Sequence, residues 1–284
     1  MKVLPFALYP QRLLQQLRFS AVLLRATALD IAILAGHLLL YPSGLSDERR
    51  AVVTIDEPLE TTFPPPGRAQ PPVVLLHGFV DNRSVFVLLR RSLARHGRHH
   101  PESLNYSLLT CDIRAAAELL GRHVEEICAR TGHHEVDIVG HSLGGLIARY
   151  YVQRLGGDIR VRTLVTLGTP HAGTQVAQLL SAHPLVRQML PHSDVIEELR
   201  SPAAGCRTRF VSFWSDLDHL MAPVEAARID HPDLRATNIR VTGIGHLALP
   251  VHPTVANGIL QALDGEQTPT GQGGAETGGT VSVA

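Results

Sequence analysis

Ten residues, Val136 to Gly145 (VDIVGHSLGG), constrain this chain more than any other stretch. The β-branched residues Val136, Ile138 and Val139 run into Gly140-His141-Ser142-Leu143-Gly144. A helical pattern then continues through Leu146, Ile147, Tyr150, Tyr151 and Leu155 to Gly156-Gly157. A strand that turns at once into a helix about a serine with glycines two residues before and after it has the form of a nucleophile elbow. Such a turn has no room for β-carbons beside the serine, so positions 140 and 144 require glycine. It raises the Ser142 hydroxyl above the end of a sheet and aims the Leu143 N–H and the helix N-terminus at the same space. The other reading of these residues is a glycine-rich turn whose serine only caps the helix.

The strand–helix rhythm extends to both sides. Residues 72–78 (PVVLLHG) read as a buried strand, Val85–His96 as a helix and Leu104–Cys111 as a second strand. A helix over Arg114–Arg130 turns Leu119, Leu120, Val124, Ile127 and Cys128 inward. Val161–Leu167, Arg209–Trp214 and Ile239–Thr242 follow as strands, and His252–Leu263 closes the series as a helix. Apolar strands separated by amphipathic helices imply an α/β fold, a mainly parallel sheet with helices on both faces. The chain has 284 residues, 44% of them hydrophobic, enough for one large domain over 73–264. The rhythm breaks only at 174–206, a helical, lid-like insertion that follows the strand after Ser142 and should overhang it.

The two ends read differently. Within residues 1–50, Ser20–Tyr41 is long enough to span a bilayer as a helix, yet it contains Arg25, Asp30 and His37. Basic residues lead it, so a spanning helix would keep its N-terminus in the cytoplasm and place the remaining chain outside. That makes the segment a candidate membrane anchor and the protein membrane-associated. The alternative is a cytoplasmic protein in which the Asp30/His37 face packs on the main domain. Residues 51–72 form a Pro-rich connector with a short strand at Val52–Ile55. Residues 265–284 are expected to be disordered.

Basic and acidic residues balance at 26 each, which leaves no electrostatic footprint for nucleic acid. Cys111, Cys128 and Cys206 form no C-x-x-C pair, and most of the 16 histidines stand in polar loops. No metal or cofactor is expected.

A serine hydroxyl needs a base to become a nucleophile, and the base needs an orienting acid. His246, in the glycine-rich loop after the last strand, is the best-placed base; His77, His141 and His171 also stand near strand ends. Asp216 and Asp218 are both plausible acids by position. The Phe79 N–H, after His77-Gly78, would complete an oxyanion hole with Leu143.

HGF at 77–79, GHSLGG at 140–145, TLGTPHAG at 166–173, SDLDHLMAP at 215–223 and GIGHLAL at 243–249 together resemble the bacterial lipase/esterase branch of the α/β-hydrolase family. The resemblance spans about residues 71–264. It implies the α/β-hydrolase fold and a Ser142–Asp218–His246 triad in that chain order, with Asp218 preferred over Asp216 as the acid. It further implies hydrolysis of lipid-like or other small carboxylic esters through an acyl-enzyme. Many secreted relatives hold calcium near the acid loop, but no ligand cluster stands out here. An acyltransferase or thioesterase using the same triad is the runner-up, and a non-catalytic binding protein on a hydrolase scaffold is the third reading.

Overall fold

The computed structural model describes residues 27–30, 70–79, 83–98, 101–104, 106, 112–265 and 280–283. Among the described residues seven strands form its sheet: β1 (Val73–Leu76), β2 (Glu102–Leu104), β3 (Val136–His141), β4 (Val161–Leu167), β5 (Arg209–Ser215), β6 (Arg235–Val241) and β7 (Thr280–Val283). Their spatial order is β2-β1-β3-β4-β5-β6-β7, and every pairing is parallel. β3, which delivers Ser142, therefore lies inside the sheet between β1 and β4.

The central strands β1, β3, β4 and β5 are largely buried because both faces of the sheet are covered. Val74 and Leu76 point into a core shared with α2 (Ile113–Thr131) and α3 (Leu143–Arg154). Val73 and Leu75 point the other way, onto α1 (Val87–Arg95) and α6 (Pro253–Asp264). Strand alternation thus divides four consecutive apolar residues between two cores. α2 starts where Asp112 accepts the Ala115 N–H at 2.7 Å and ends at Gly132 with φ 74°. An aspartate N-cap and a left-handed glycine C-cap are what the sequence offers there.

Several boundaries depart from expectation. The second strand occupies Glu102–Leu104, earlier than Leu104–Cys111, and residues 107–111 lie outside the described residues. β6 begins at Arg235, not Ile239, because its first half carries polar residues that hide it from a hydropathy reading. Within it, Asn238 is buried yet satisfied by the Ile229 N–H at 2.8 Å and the Ile229 carbonyl at 3.0 Å. The tail expected to be disordered contributes β7, whose Thr280-Val281-Ser282-Val283 run suits a strand and extends the sheet beyond β6. The Pro-rich connector, Val52–Ile55 and most of Ser20–Tyr41 lie outside the described residues; of the last, Thr27–Asp30 is helical. Among the described residues no helix is long and apolar enough to cross a membrane.

The base of the sheet is held by a buried charge cluster. Asp137 of β3 is wholly buried and accepts from Arg98 at 3.1 Å and from Arg162 at 3.0 and 2.6 Å. Arg98 also reaches Asp264, and Arg162 donates to the Leu263 carbonyl at 2.7 Å, so α6 is tied in at its C-terminal end. Two carboxylates, buried Asp137 and half-exposed Asp264, face two cations, of which Arg98 is buried. Asp137→Ala should therefore cost about 3–5 kcal/mol, since it leaves buried Arg98 with only the half-exposed Asp264. Urea unfolding should show a lower midpoint with an unchanged slope; a loss under 1 kcal/mol would show that Asp264 alone suffices for Arg98.

Candidate active site

β3 ends at His141, and the chain reverses at Ser142 with φ 51° and ψ −118°. A non-glycine residue at positive φ costs about 1–3 kcal/mol and persists only where its surroundings over-determine it. Here the Ser142 N–H bonds the Leu167 carbonyl at 2.9 Å, and the Ser142 carbonyl accepts the Gly145 N–H at 3.0 Å. The flanking glycines are needed for space. A β-carbon at 140 would lie 2.7 Å from Gly145 Cα, and one at 144 would lie 2.3 Å from the Leu76 carbonyl oxygen. The Ser142 side chain makes no capping bond to α3. The helix-cap reading is thereby excluded.

His246 and Asp218 meet as a buried pair, Nδ1 to Oδ2 at 2.7 Å. The other Asp218 oxygen accepts the Leu220 N–H at 3.0 Å. The carboxylate fixes the proton on Nδ1, which leaves Nε2 as the basic nitrogen. Asp216 is engaged elsewhere, with Arg240 at 3.0 Å and the Gly243 N–H at 3.3 Å. Of the two acids left open by position, Asp218 is the one at the imidazole.

Three other histidines near strand ends have structural partners. His141 donates from Nε2 to the His246 carbonyl at 3.2 Å, its ring 4.8 Å from that of His246. His77 stacks on Tyr106 at 4.4 Å. His171 is buried against Thr166 at 3.0 Å; burial first, and Arg149 second, hold it well below the ordinary imidazole range and therefore neutral.

Gly168 was not singled out from the sequence as a site residue. With φ 53°, its missing β-carbon leaves the space occupied by Asp218 Oδ2, 2.8 Å away, and His246 Nδ1, 3.0 Å away. The signal was present in the TLGTPHAG motif: a glycine directly after a buried strand, beside the nucleophile strand.

Ser142 and His246 line one cavity of about 120 Å³. Phe79, after β1, forms part of its wall, with its ring edge-on to His183 at 5.1 Å. Leu143 supplies the first N–H of α3. The insertion completes the wall with Ala177, Val186 and Met189. It contains a 3₁₀ turn at Gln175–Leu180 and two short helices, α4 (Pro184–Arg187) and α5 (Asp194–Arg200), each capped by the residue before it: Thr174, His183 and Ser193. Leu185, Val186, Val195, Ile196 and Leu199 join the core that α2 and α3 share. Arg149 of α3, fully buried, donates to the Leu199 carbonyl at 3.0 Å and the His171 carbonyl at 3.2 Å. Burial pushes its guanidinium down to about 9, still charged at neutral pH. Leu179, by contrast, is 82% exposed. Among the described residues no cluster of three His, Cys, Asp or Glu side chains could hold a metal ion.

A serine hydroxyl, an imidazole with its tautomer fixed by a buried carboxylate, and an apolar cavity form the constellation of acyl transfer. The chain is also similar to known proteins. The chain is 29% identical over 116 residues to a triacylglycerol lipase of Pseudarthrobacter phenanthrenivorans, covering 38% of this chain and 36% of that protein. It is 31% identical over 133 residues to a triacylglycerol lipase of Vibrio cholerae serotype O1, covering 45% and 39%. The chain thus spans well under half the length of these curated relatives. Among solved structures, Bacillus licheniformis lipase BlEst2 in mature form superposes with a TM-score of 0.56 at 16% identity, covering 69% of this chain and 93% of the other. Aspergillus fumigatus lipase B gives 0.59 at 16% identity, covering 69% and 52%. These two show a shared fold. The model of the palmitoyl protein thioesterase family matches residues 72–222, more than half of the chain and from β1 through the acid loop. The chain belongs to that family, within the lipase/esterase branch of the α/β-hydrolases.

Proposed function

We propose that this protein hydrolyses carboxylic esters through a Ser142 acyl-enzyme, with His246 as general base and Asp218 as its orienting acid. The observation that carries this reading is the buried 2.7 Å contact between His246 Nδ1 and Asp218 Oδ2, beside a cavity shared with a serine at φ 51°. In the first step Ser142 Oγ adds to the ester carbonyl and its proton passes to His246 Nε2. The Leu143 and Phe79 N–H groups receive the developing oxyanion. Collapse of the tetrahedral intermediate breaks the C–O bond, and the imidazolium proton leaves with the alcohol. Water then repeats the sequence on the acyl-enzyme and releases the acid.

The cavity bears on substrate class. At about 120 Å³ it approaches the roughly 150 Å³ apolar cavity that holds one benzene ring. Short acyl groups suit a cavity of that size as it stands. Longer lipid acyl chains require displacement of its insertion-derived wall. The whole protein's natural ester, within the lipid-like class suggested by its relatives, follows from how far that wall yields.

A fluorophosphonate probe followed by a p-nitrophenyl ester series tests the reading. Ser142→Ala should lose labelling and at least a thousandfold in kcat/KM, roughly the scale of triad loss, while melting normally. Retention of more than a few per cent of turnover would move the nucleophile elsewhere. The acid assignment has its own test: Asp218→Asn should cost roughly a thousandfold or more in kcat. Asp216→Asn, which removes only a half-exposed pair with Arg240, should stay within about threefold. The reverse ranking would make Asp216 the acid. Met189→Ala should raise kcat/KM for octanoate relative to butyrate by about tenfold, as removed wall volume admits further methylenes. An unchanged ratio would put Met189 off the acyl path.

A further inference from the structure

The loop carrying His246 meets one carboxylate from far outside the strand–helix series. Asp30, at the end of the described helical turn, accepts the Ala248 N–H at 3.2 Å across 218 residues of sequence. Gly245 admits it: a β-carbon there would fall 2.1 Å from Asp30 Oδ2 and 2.4 Å from Cγ. The three nearest atoms to that point all belong to the Asp30 carboxylate. The described titratable neighbours of His246 include Asp218 on Nδ1, Asp30 behind its own loop, and His141, which is engaged with the His246 carbonyl. Burial raises the Asp30 carboxyl above its ordinary range, the His246 charge lowers it, and Asp218 raises it further.

An aspartate in the middle of the apolar stretch Ser20–Tyr41 is expensive in a bilayer, about 2.5–3.5 kcal/mol at a helix centre. Packed on this loop it accepts a backbone N–H and lies beside the ring that becomes cationic during turnover. The contact thus supports the reading in which this part of the stretch lies against the main domain.

We propose that Asp30 is a positioning residue for His246, fixing the 245–248 backbone and lending the imidazolium a second negative charge. This rests on the role of His246 as base in the proposed hydrolysis. Asp30 touches no reacting atom. When the Ser142 proton reaches Nε2 the ring becomes cationic, and the nearby carboxylate stabilises that form over the neutral one. Removing the charge should disfavour the imidazolium, so the acid limb of the kcat/KM–pH profile should move to lower pH.

The full-length enzyme tests this with p-nitrophenyl butyrate. Asp30→Asn keeps an acceptor for the Ala248 N–H and removes the charge; its acid limb should fall by roughly 0.5–1 pH unit. Its kcat should drop about three- to tenfold at unchanged KM, the same free energy read as a rate. Gly245→Ala evicts the carboxylate sterically and should produce the same shift with Asp30 still in the chain. In an Asp30→Ala background, Gly245→Ala should cost nothing further, because the two changes act through one contact. An acid limb unmoved in Asp30→Asn overturns the inference, as does a Gly245→Ala penalty that persists without the carboxylate. Should Asp30→Asn fail to fold, the Gly245 pair decides alone. Wild-type enzyme that neither labels at Ser142 nor turns over would overturn the ester-hydrolase reading, and this inference with it.

Discussion

Backbone pressed against backbone is the constraint on which this structure depends. At the elbow, α3 approaches β1 so closely that a single β-carbon on Gly144 would overlap the Leu76 carbonyl oxygen, and one on Gly140 would overlap Gly145. Side chains cannot mediate such a contact, so the distances are set by peptide geometry rather than by rotamers that could relax. The consequences spread outward. Ser142 is held at positive φ, and its hydroxyl is withheld from capping α3. The same economy recurs at Gly168, where the absent β-carbon makes room for the His246–Asp218 pair. Three glycines thereby coordinate the β1, β3 and β4 ends into one site.

Much of this was legible before any coordinates. The elbow, the parallel sheet and the base loop declare themselves through local signals: β-branched runs, glycines at fixed offsets and a histidine after the last of the predicted strands. Position alone left Asp216 and Asp218 open, and only the family resemblance favoured Asp218. Both sit in one turn, and what separates them is that Arg240 of β6 takes the first while His246 takes the second. β6 itself was read short because Arg235, Thr237 and Asn238 carry no hydropathy signal; Asn238 is buried on the strength of two backbone bonds that no periodicity reports. β7 was missed for the opposite reason, since a glycine-rich tail conceals four strand-forming residues whose pairing edge exists only once β6 is in place. Asp30 was visible as an anomaly in an apolar stretch, but its partner lies 218 residues away.

The insertion shows a division that composition could not give. Its place in the chain suggested a cover, and the structure separates its apolar residues into two groups. Those of α4 and α5 belong to the same core as α2 and α3, whereas Leu179 faces solvent. Glu198 of α5 is further engaged by Arg114 and by Tyr150, at 2.5 Å for the latter.

Arg149 adds a mechanical meaning to this division. Its guanidinium is a buried cation with neutral acceptors: the carbonyls of His171 and Leu199 and the side chain of Gln153. Two of those carbonyls belong to segments on either side of the insertion's first turn. The guanidinium acts as a rivet through which both ends of the loop are fastened to the helix behind the nucleophile. A rivet at both ends leaves only the span between them able to bow. Within that span Ala177, Leu185, Val186 and Met189 are buried while Leu179 faces solvent, and the helix that carries Leu199 is fastened to the helix behind the nucleophile.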